Sequence, residues 1–206
     1  MLNIDQIKFQ LKEPLPGKAA HLRLAPFAAR LNYAIPNDVH IAAVLILIYE
    51  RNQEYYFPLI TRQSNHPADK HKGQIALPGG RKDPADIDTQ ATALRECVEE
   101  IGISEDQVEI LGALSPIYIP VSYHHVYPYV AYYHGKPEFN LQQTEIYALH
   151  EIQLSELQIP DYRKNIELIT TEGPLREVPA IQIGDLVIWG ATGMILEEFS
   201  ELVNRL

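Results

Sequence analysis

Leu77-Pro78-Gly79-Gly80-Arg81-Lys82-Asp83-Pro84, followed after a short link by Ala93-Leu94-Arg95-Glu96-Cys97-Val98-Glu99-Glu100-Ile101-Gly102-Ile103, is the stretch on which the fold of this chain turns. Its second part reads as a helix over roughly Thr89 to Ile101. Asp88 stands where a side chain caps the first N–H groups, and Gly102 where a helix ends in the left-handed conformation. On a helix turning about 100° per residue, Glu96, Glu99 and Glu100 share one sector roughly 100° wide. Ala91, Leu94, Val98 and Ile101 are expected on the opposite side, facing the core. Three carboxylates on adjacent turns repel one another and need a compensating positive charge. An oxygen-rich cluster of this kind suits Mg²⁺ or Mn²⁺, which also accept phosphate oxygens and keep some of their waters. Arg95 can neutralise part of the cluster and orient a carboxylate through a forked contact. Gly79 and Gly80 let the backbone come close, so that the Gly80 carbonyl could join a metal shell. A bare Glu-x-x-Glu-Glu is usually only a solvated helix face. The preceding double glycine, the Arg-Glu junction and the terminating Gly-Ile together favour the metal.

Outward from this core, His40 to Tyr49 is apolar and β-branched, the composition of a buried strand. Tyr55 to Thr61 is its hairpin partner, with Asn52 in the turn. Gln63 to Lys72 reads as a loop, and Gln74 to Leu77 as a short strand running into Pro78-Gly79-Gly80. Further strands fall near Val108 to Ile119, Val126 to Tyr133 and Ile146 to Ile152. From Thr192 the chain is an amphipathic helix, with Ile195, Leu196, Phe199, Leu202, Val203 and Leu206 on one face and glutamates opposite. Residues 4 to 12 suit a short helix stopped by Pro14 and Pro16, followed by an irregular stretch to about Asp38. Strands and helices intermix, which argues for a mixed β-sheet flanked by helices. Two parts are expected: residues 1–38, an N-terminal extension packing on the core, and residues 39–206, the one domain that carries the carboxylate cluster. The extension could cover a sheet edge or contribute to a homodimer, and both stay open.

Composition narrows the function classes. The 206 residues carry a formal charge of −10, which disfavours nonspecific binding to nucleic acid, since that needs a basic surface. A small phosphate compound is still open, because a bound divalent cation reverses the local field. No apolar run reaches the roughly 18 residues of a membrane span. The first residues lack the order of a signal peptide, and the single Cys97 allows no intrachain disulfide; the expected location is a reducing cytoplasm.

Arg95-Glu96-Cys97-Val98-Glu99-Glu100-Ile101-Gly102-Ile103 resembles the second half of the Nudix box, Gly-x5-Glu-x7-Arg-Glu-U-x-Glu-Glu-x-Gly-U, with Cys97 in an aliphatic position. The first half departs from it. Counting back from Arg95, the box glycine falls on Arg81 and its first glutamate on Ile87, so Gly80 is one residue too far and Asp86 or Asp88 must stand in for the acid. That extra residue, with Gly-Gly-Arg-Lys-Asp-Pro-x-Asp and Thr92-Ala93-Leu94-Arg95-Glu96, resembles the coenzyme A diphosphatase branch. So do Ile188-Trp189-Gly190-Ala191-Thr192 and, upstream, Leu59-Ile60-Thr61-Arg62-Gln63-Ser64 with Gly73-Gln74-Ile75-Ala76-Leu77-Pro78-Gly79-Gly80. In that upstream pattern Gln63 holds the arginine position and Arg62 is shifted by one, to the opposite face of a strand.

The resemblance implies an α/β/α sandwich and hydrolysis of a nucleoside-diphosphate-linked compound, coenzyme A first. ADP-ribose, a dinucleotide or a nucleotide sugar is the alternative substrate. It implies Glu96 and Glu100 as principal metal ligands, with Glu99 assisting, the Gly80 carbonyl beside them and Arg95 organising the carboxylates. A further acid outside the helix often completes such sites, as metal ligand or base, and Glu145 is the candidate. Arg62 and His71, the latter between Lys70 and Lys72, are candidates for substrate phosphates. A Nudix-fold module that binds a nucleotide without cleaving it is a reading of another class, and the intact Arg-Glu-x-x-Glu-Glu argues against it. His124-His125 would diverge on a strand and so make a poor chelating pair. The tyrosines from Tyr118 to Tyr133 are sheet residues first, and an adenine stack or an interface second. Cys97 has no His–Asp arrangement beside it and reads as a packing residue.

Overall fold

A computed structural model describes residues 3–26, 31–63, 73–159, 162–170 and 173–206. The apolar run of the first strand, β1 (His40–Arg51), lies at the centre of a sheet. It turns through Asn52 and Gln53, at φ 55° and 66°, a two-residue turn whose twist matches that of the flanking strands, into β2 (Glu54–Arg62). Two short strands follow, β3 (Ile75–Ala76) and β4 (Gly79–Arg81). After the helix come β5 (Val108–Ala113), β6 (Ile117–Ile119), β7 (His124–Tyr133) and β8 (Ile146–Gln153). Among the described residues these eight form one sheet in the order β3-β2-β1-β7-β5, with β4 on β1, β6 on β7 and β8 on β2. β1 and β7 run parallel over His40↔His124 to Tyr49↔Tyr133, and the other pairings are antiparallel, so the sheet is mixed.

Alternation along β1 separates two cores. Ala43, Leu45, Leu47 and Tyr49 face one side, where they pack with Ala93, Cys97 and Ile101 of the central helix, α3 (Thr89–Ile101). Ala42, Ile46 and Ile48 face the other, against Ile195, Phe199 and Leu202 of the terminal helix, α4 (Gly190–Val203). Two short N-terminal helices, α1 (Ile4–Gln10) and α2 (Gly17–Leu24), lie on this second side and add Ile7 and Leu24 to its core. The result is the expected α/β/α sandwich.

The central helix is fixed at both ends as the sequence predicts. The Asp88 side chain accepts from the Ala91 N–H at 2.8 Å, and Gly102 sits at φ 70° with its N–H on the Val98 carbonyl. A Cβ at Gly102 would also come 2.5 Å from the Asn140 carbonyl oxygen, so glycine is required for conformation and for space alike. Asp88→Ala is expected to lower stability by about 1 kcal/mol, read as a shift in the urea midpoint at unchanged slope.

Four features differ from the sequence reading. The stretch after Pro16 is not irregular throughout: α2 occupies Gly17–Leu24, with Pro16 at its N-cap. The segment after β8 holds a second, antiparallel sheet of β9 (Arg163–Thr170), β10 (Gly173–Ile183) and β11 (Leu186–Trp189), which the sequence reading did not identify. The central helix buries Thr92, Ala93, Cys97, Glu100 and Ile101 most deeply, so its inward face is rotated from the one expected, and Leu94 and Val98 pack only at its margin.

Two of the three glutamates of α4 do not lie on a solvated face. Glu197 and Glu198 are both fully buried, because α2 and the second sheet cover the side that would otherwise meet water. Glu197 accepts from Arg163 (Nε 2.8 Å, Nη2 2.6 Å), Arg23 Nε (2.5 Å) and the Tyr162 hydroxyl (2.6 Å). Glu198 accepts from the Gly17 N–H (3.0 Å) and the Ser115 hydroxyl (2.6 Å), and its other oxygen lies 2.9 Å from His21 Nε2.

Candidate active site

β4 lies beside β1 in the register Ala42↔Arg81, Ala43↔Gly80, Val44↔Gly79. Ala43 faces α3, and so therefore does Gly80. A Cβ at Gly80 would stand 2.5 Å from the Glu96 carboxylate, so the missing side chain is what lets that carboxylate rest on the strand. One turn along the helix, Glu100 takes the Gly79 N–H on Oε2 at 2.8 Å and Arg62 Nη1 on Oε1 at 3.3 Å. Glu100 is 2% exposed and the Glu96 side chain 15%. Burial pushes the Glu100 carboxyl up to about 7, against the Gly79 N–H and Arg62, and with help from Glu96 and Glu145. The Glu96 carboxyl is raised as well, by burial first, with Arg95 opposing and Glu99 and Glu145 reinforcing. Two acids are thus held together in a place that disfavours their ionisation.

Arg95 is the hub beside them. Its Nε and Nη2 grip Asp86 in a two-pronged contact of 2.9 and 3.0 Å. It also donates to Glu99 (2.9 Å) and to the Arg81 carbonyl (3.1 Å), and pairs with Glu96 at 2.9 Å. Asp86 is 9% exposed and accepts from the Asp83 N–H and the Thr92 hydroxyl, each at 2.9 Å. The Arg95 contact, with these two, holds its carboxyl well below the usual carboxylate range. Of the two acids that could replace the glutamate absent from the motif, Asp86 is the one that meets Arg95, while Asp88 caps the helix. Lysine cannot reproduce the fork. Arg95→Lys is expected to lower kcat by about 10- to 100-fold with little change in the thermal midpoint, as measured by initial rates and calorimetry.

The remaining candidates distribute as follows. Glu99 is 58% exposed on its side chain and turned to Arg95, so Glu96 and Glu100, rather than all three glutamates, sit together. Glu145 precedes β8; its backbone oxygen accepts the Gln63 N–H at 2.6 Å, and its carboxylate lies near enough to raise both inner acids. Arg62 reaches the pair in spite of its shift in the sequence, because it shares the face of Ile60, which packs with the α3 core. His71, with Lys70 and Lys72, lies outside the described residues. The Nδ1 of His124 lies 2.6 Å from the Ser122 carbonyl oxygen while His125 lies against Tyr127, so the two rings diverge. Cys97 is fully buried and burial raises its thiol far above the usual range, as suits a packing residue. The sequence reading missed Thr92, whose hydroxyl sits between Asp86 and the Asp88 carbonyl.

Among the described residues no three His, Cys, Asp or Glu side chains converge as a ready metal cage. Two carboxylates over a glycine strand nevertheless fit Mg²⁺ or Mn²⁺, which take few protein ligands and complete their shell with waters and phosphate oxygens. Among the described residues no helix is long and apolar enough to cross a membrane.

A family model described as the NUDIX domain matches residues 39–170. Over 198 residues the chain is 34% identical to the Nudix hydrolase NudL of Yersinia enterocolitica, spanning 96% of this chain and 90% of that one. It is 35% identical over 163 residues to NudL of Yersinia pestis, 79% of each chain. Two solved structures are similar in fold. The binary complex of the Caenorhabditis elegans Ap4A hydrolase superposes with a TM-score of 0.51 at 20% identity, over 82% of this chain and 100% of that one. A MutT/nudix family protein from Enterococcus faecalis gives 0.52 at 21%, over 91% and 72%. Family match, sequence kinship and fold agree, and the chain belongs to the Nudix hydrolase family.

Proposed function

We propose that this hydrolase cleaves the diphosphate bond of coenzyme A or a close derivative, with Mg²⁺ or Mn²⁺ held by Glu96, Glu100 and the Gly80 carbonyl. The observation that carries the reading is the pair of inner carboxylates, resting on a glycine strand and raised by burial. Nudix hydrolases generally use divalent ions. Such an ion neutralises diphosphate charge and makes a bound water a stronger nucleophile.

The protein's own groups do the rest. Arg95, anchored on Asp86, holds Glu96 in one orientation. Arg62, 3.3 Å from Glu100, offers a planar fork to a phosphate that enters beside the pair. Glu145, whose charge reaches both inner acids, is the candidate to accept the proton of the attacking water. Water adds to one phosphorus, the bridging P–O bond breaks, and each product leaves with a phosphate terminus. From coenzyme A these are an adenosine bisphosphate and a phosphopantetheine.

The preference for coenzyme A rests on the Gly-Gly-Arg-Lys-Asp-Pro-x-Asp spacing and the segment Leu59 to Gln63. ADP-ribose or a dinucleotide is the second reading, favoured by Gln63 in the position of the branch's arginine. The test is a panel of coenzyme A, ADP-ribose and a diadenosine polyphosphate with Mg²⁺, Mn²⁺ or chelator. Metal-dependent cleavage of coenzyme A in preference to the others is expected. Preference for another diphosphate keeps the chemistry and discards the branch.

A further inference from the structure

We propose that the cleft under Tyr147 seats a heteroaromatic base, the nucleobase half of the substrate; the inference rests on the diphosphatase reading above. Along the β2–β8 ladder Thr61 pairs with Ala148 and Arg62 with Ile146. Tyr147 is the extra residue between them. A bulge of this kind re-aims one side chain out of the ladder. Tyr147 is accordingly 74% exposed. It lines a cleft of about 390 Å³ together with Gln63, Phe139, Asn140, Leu141 and Gln143.

The chemistry of this lining is that of a base site. Gln63, Asn140 and Gln143 each present an amide with donors and an acceptor, the complement of a base edge. Tyr147 offers a ring for stacking, which does not depend on which base is bound. Among the described residues the lining carries no charged side chain, which suits a neutral ring and not a phosphate.

The cleft is preformed. Its floor is tied to the end of α3 by Asn140 N–H to the Ile101 carbonyl (2.9 Å) and Gln142 N–H to the Glu100 carbonyl (3.0 Å). Glu145 and Ile146 in turn donate to the Gln142 carbonyl, at 3.0 and 2.9 Å. Phe139 packs edge-on to Tyr49, 5.7 Å between ring centres. Tyr147 follows Glu145 by two residues, and the backbone tie from Gln142 to the Glu100 carbonyl sets the cleft next to the part of α3 that carries the inner acids. A base seated there has its phosphates at the same end of the molecule.

The test is calorimetric titration of adenosine 5′-monophosphate and, as a baseless control, ribose 5-phosphate, into the wild type, Tyr147→Ala, Tyr147→Phe and Gln143→Ala. Tyr147→Ala is expected to weaken nucleotide binding about tenfold, with Tyr147→Phe close to the wild type and ribose 5-phosphate unaffected. On the cleaved diphosphate KM rises by a similar factor and kcat stays. Equal nucleotide affinity in the wild type and Tyr147→Ala overturns the subsite. So does an equal loss for ribose 5-phosphate, or no nucleotide binding by the wild type. Tyr147-dependent binding in a protein that cleaves no diphosphate upholds the subsite and refutes the proposed reaction instead.

Discussion

Glu100→Gln is expected to reduce turnover by about a thousandfold or more while leaving the fold intact. A metal ion supplies several kcal/mol to a phosphoryl-transfer transition state, and about 4 kcal/mol corresponds to three decades of rate. Glutamine keeps the shape and can still accept the Gly79 N–H, but it removes the charge that would hold the ion. The same variant has a thermodynamic signature. The Glu100 carboxyl sits at about 7 in the folded chain, against 4.5 for an ordinary glutamate. Between those values the unfolded chain has lost the proton and the folded chain still holds it, so folding is progressively penalised as pH rises. In chelator, the wild type should lose about 3 kcal/mol of stability from pH 4.5 to 7.5 through this group. Glu100→Gln should lack that slope, and at pH 8 without metal it should melt above the wild type. Mg²⁺ should raise the melting temperature of the wild type at pH 8 and have little effect on the variant. Near-normal turnover in purified Glu100→Gln would sink the mechanism, and an unchanged pH slope would show that Glu100 is not the buried acid that matters.

The largest loss of stability is expected at Glu197, far from the chemistry. Burial alone would raise this carboxyl, but hydrogen bonds from Arg163, Tyr162 and Arg23 outweigh it and hold it below the usual range. Glu197→Ala leaves two arginines and the hydroxyl of Tyr162, itself 4% exposed, without their common acceptor. Removing one partner of a buried pair costs about 3–5 kcal/mol. The side chains of Arg23 and Arg163 are 40% and 41% exposed and regain some hydration, so the lower end, about 3 kcal/mol, is expected. Glu197→Gln should lose about half of that, because it keeps one acceptor. Urea unfolding measures both; kcat well below the melt should not change. A loss under about 0.5 kcal/mol for Glu197→Ala would mean that the cluster does not hold α2, α4 and the second sheet together.

What was legible in the sequence was local. Asp88, Gly102 and the residues between them specify α3 within one segment, and Glu96 and Glu100 follow from that helix. The strand β1 announces itself by composition, and its hairpin by Asn52. The rotation of α3 was not legible, because a helical wheel says which residues share a face, not which face another strand will accept. Glu100 turns inward since Gly79 offers it an N–H and Gly80 leaves room beside it for Glu96. Arg62 looked misplaced by one residue in the chain, yet it shares a face with Ile60 and reaches Glu100. The buried Glu197 and Glu198 were the hardest to read. Their partners Arg23 and His21 are 174 and 177 residues away, and a glutamate on an amphipathic helix gives no local sign that another helix covers it. The second sheet failed for a similar reason: polar residues such as Arg163, Lys164 and Glu167 interrupt the apolar pattern of β9.

Metal-dependent hydrolysis of a diphosphate bond at Glu96 and Glu100 is the proposed reaction. Its most direct test is cleavage of coenzyme A in ¹⁸O-labelled water, with Mg²⁺ or with chelator, followed by mass spectrometry of both products. One ¹⁸O atom in one of the two new phosphate termini, dependent on Mg²⁺ and lost in Glu100→Gln, is predicted. Cleavage that persists in chelator, or release of the 3′-phosphate with the diphosphate intact, would contradict it.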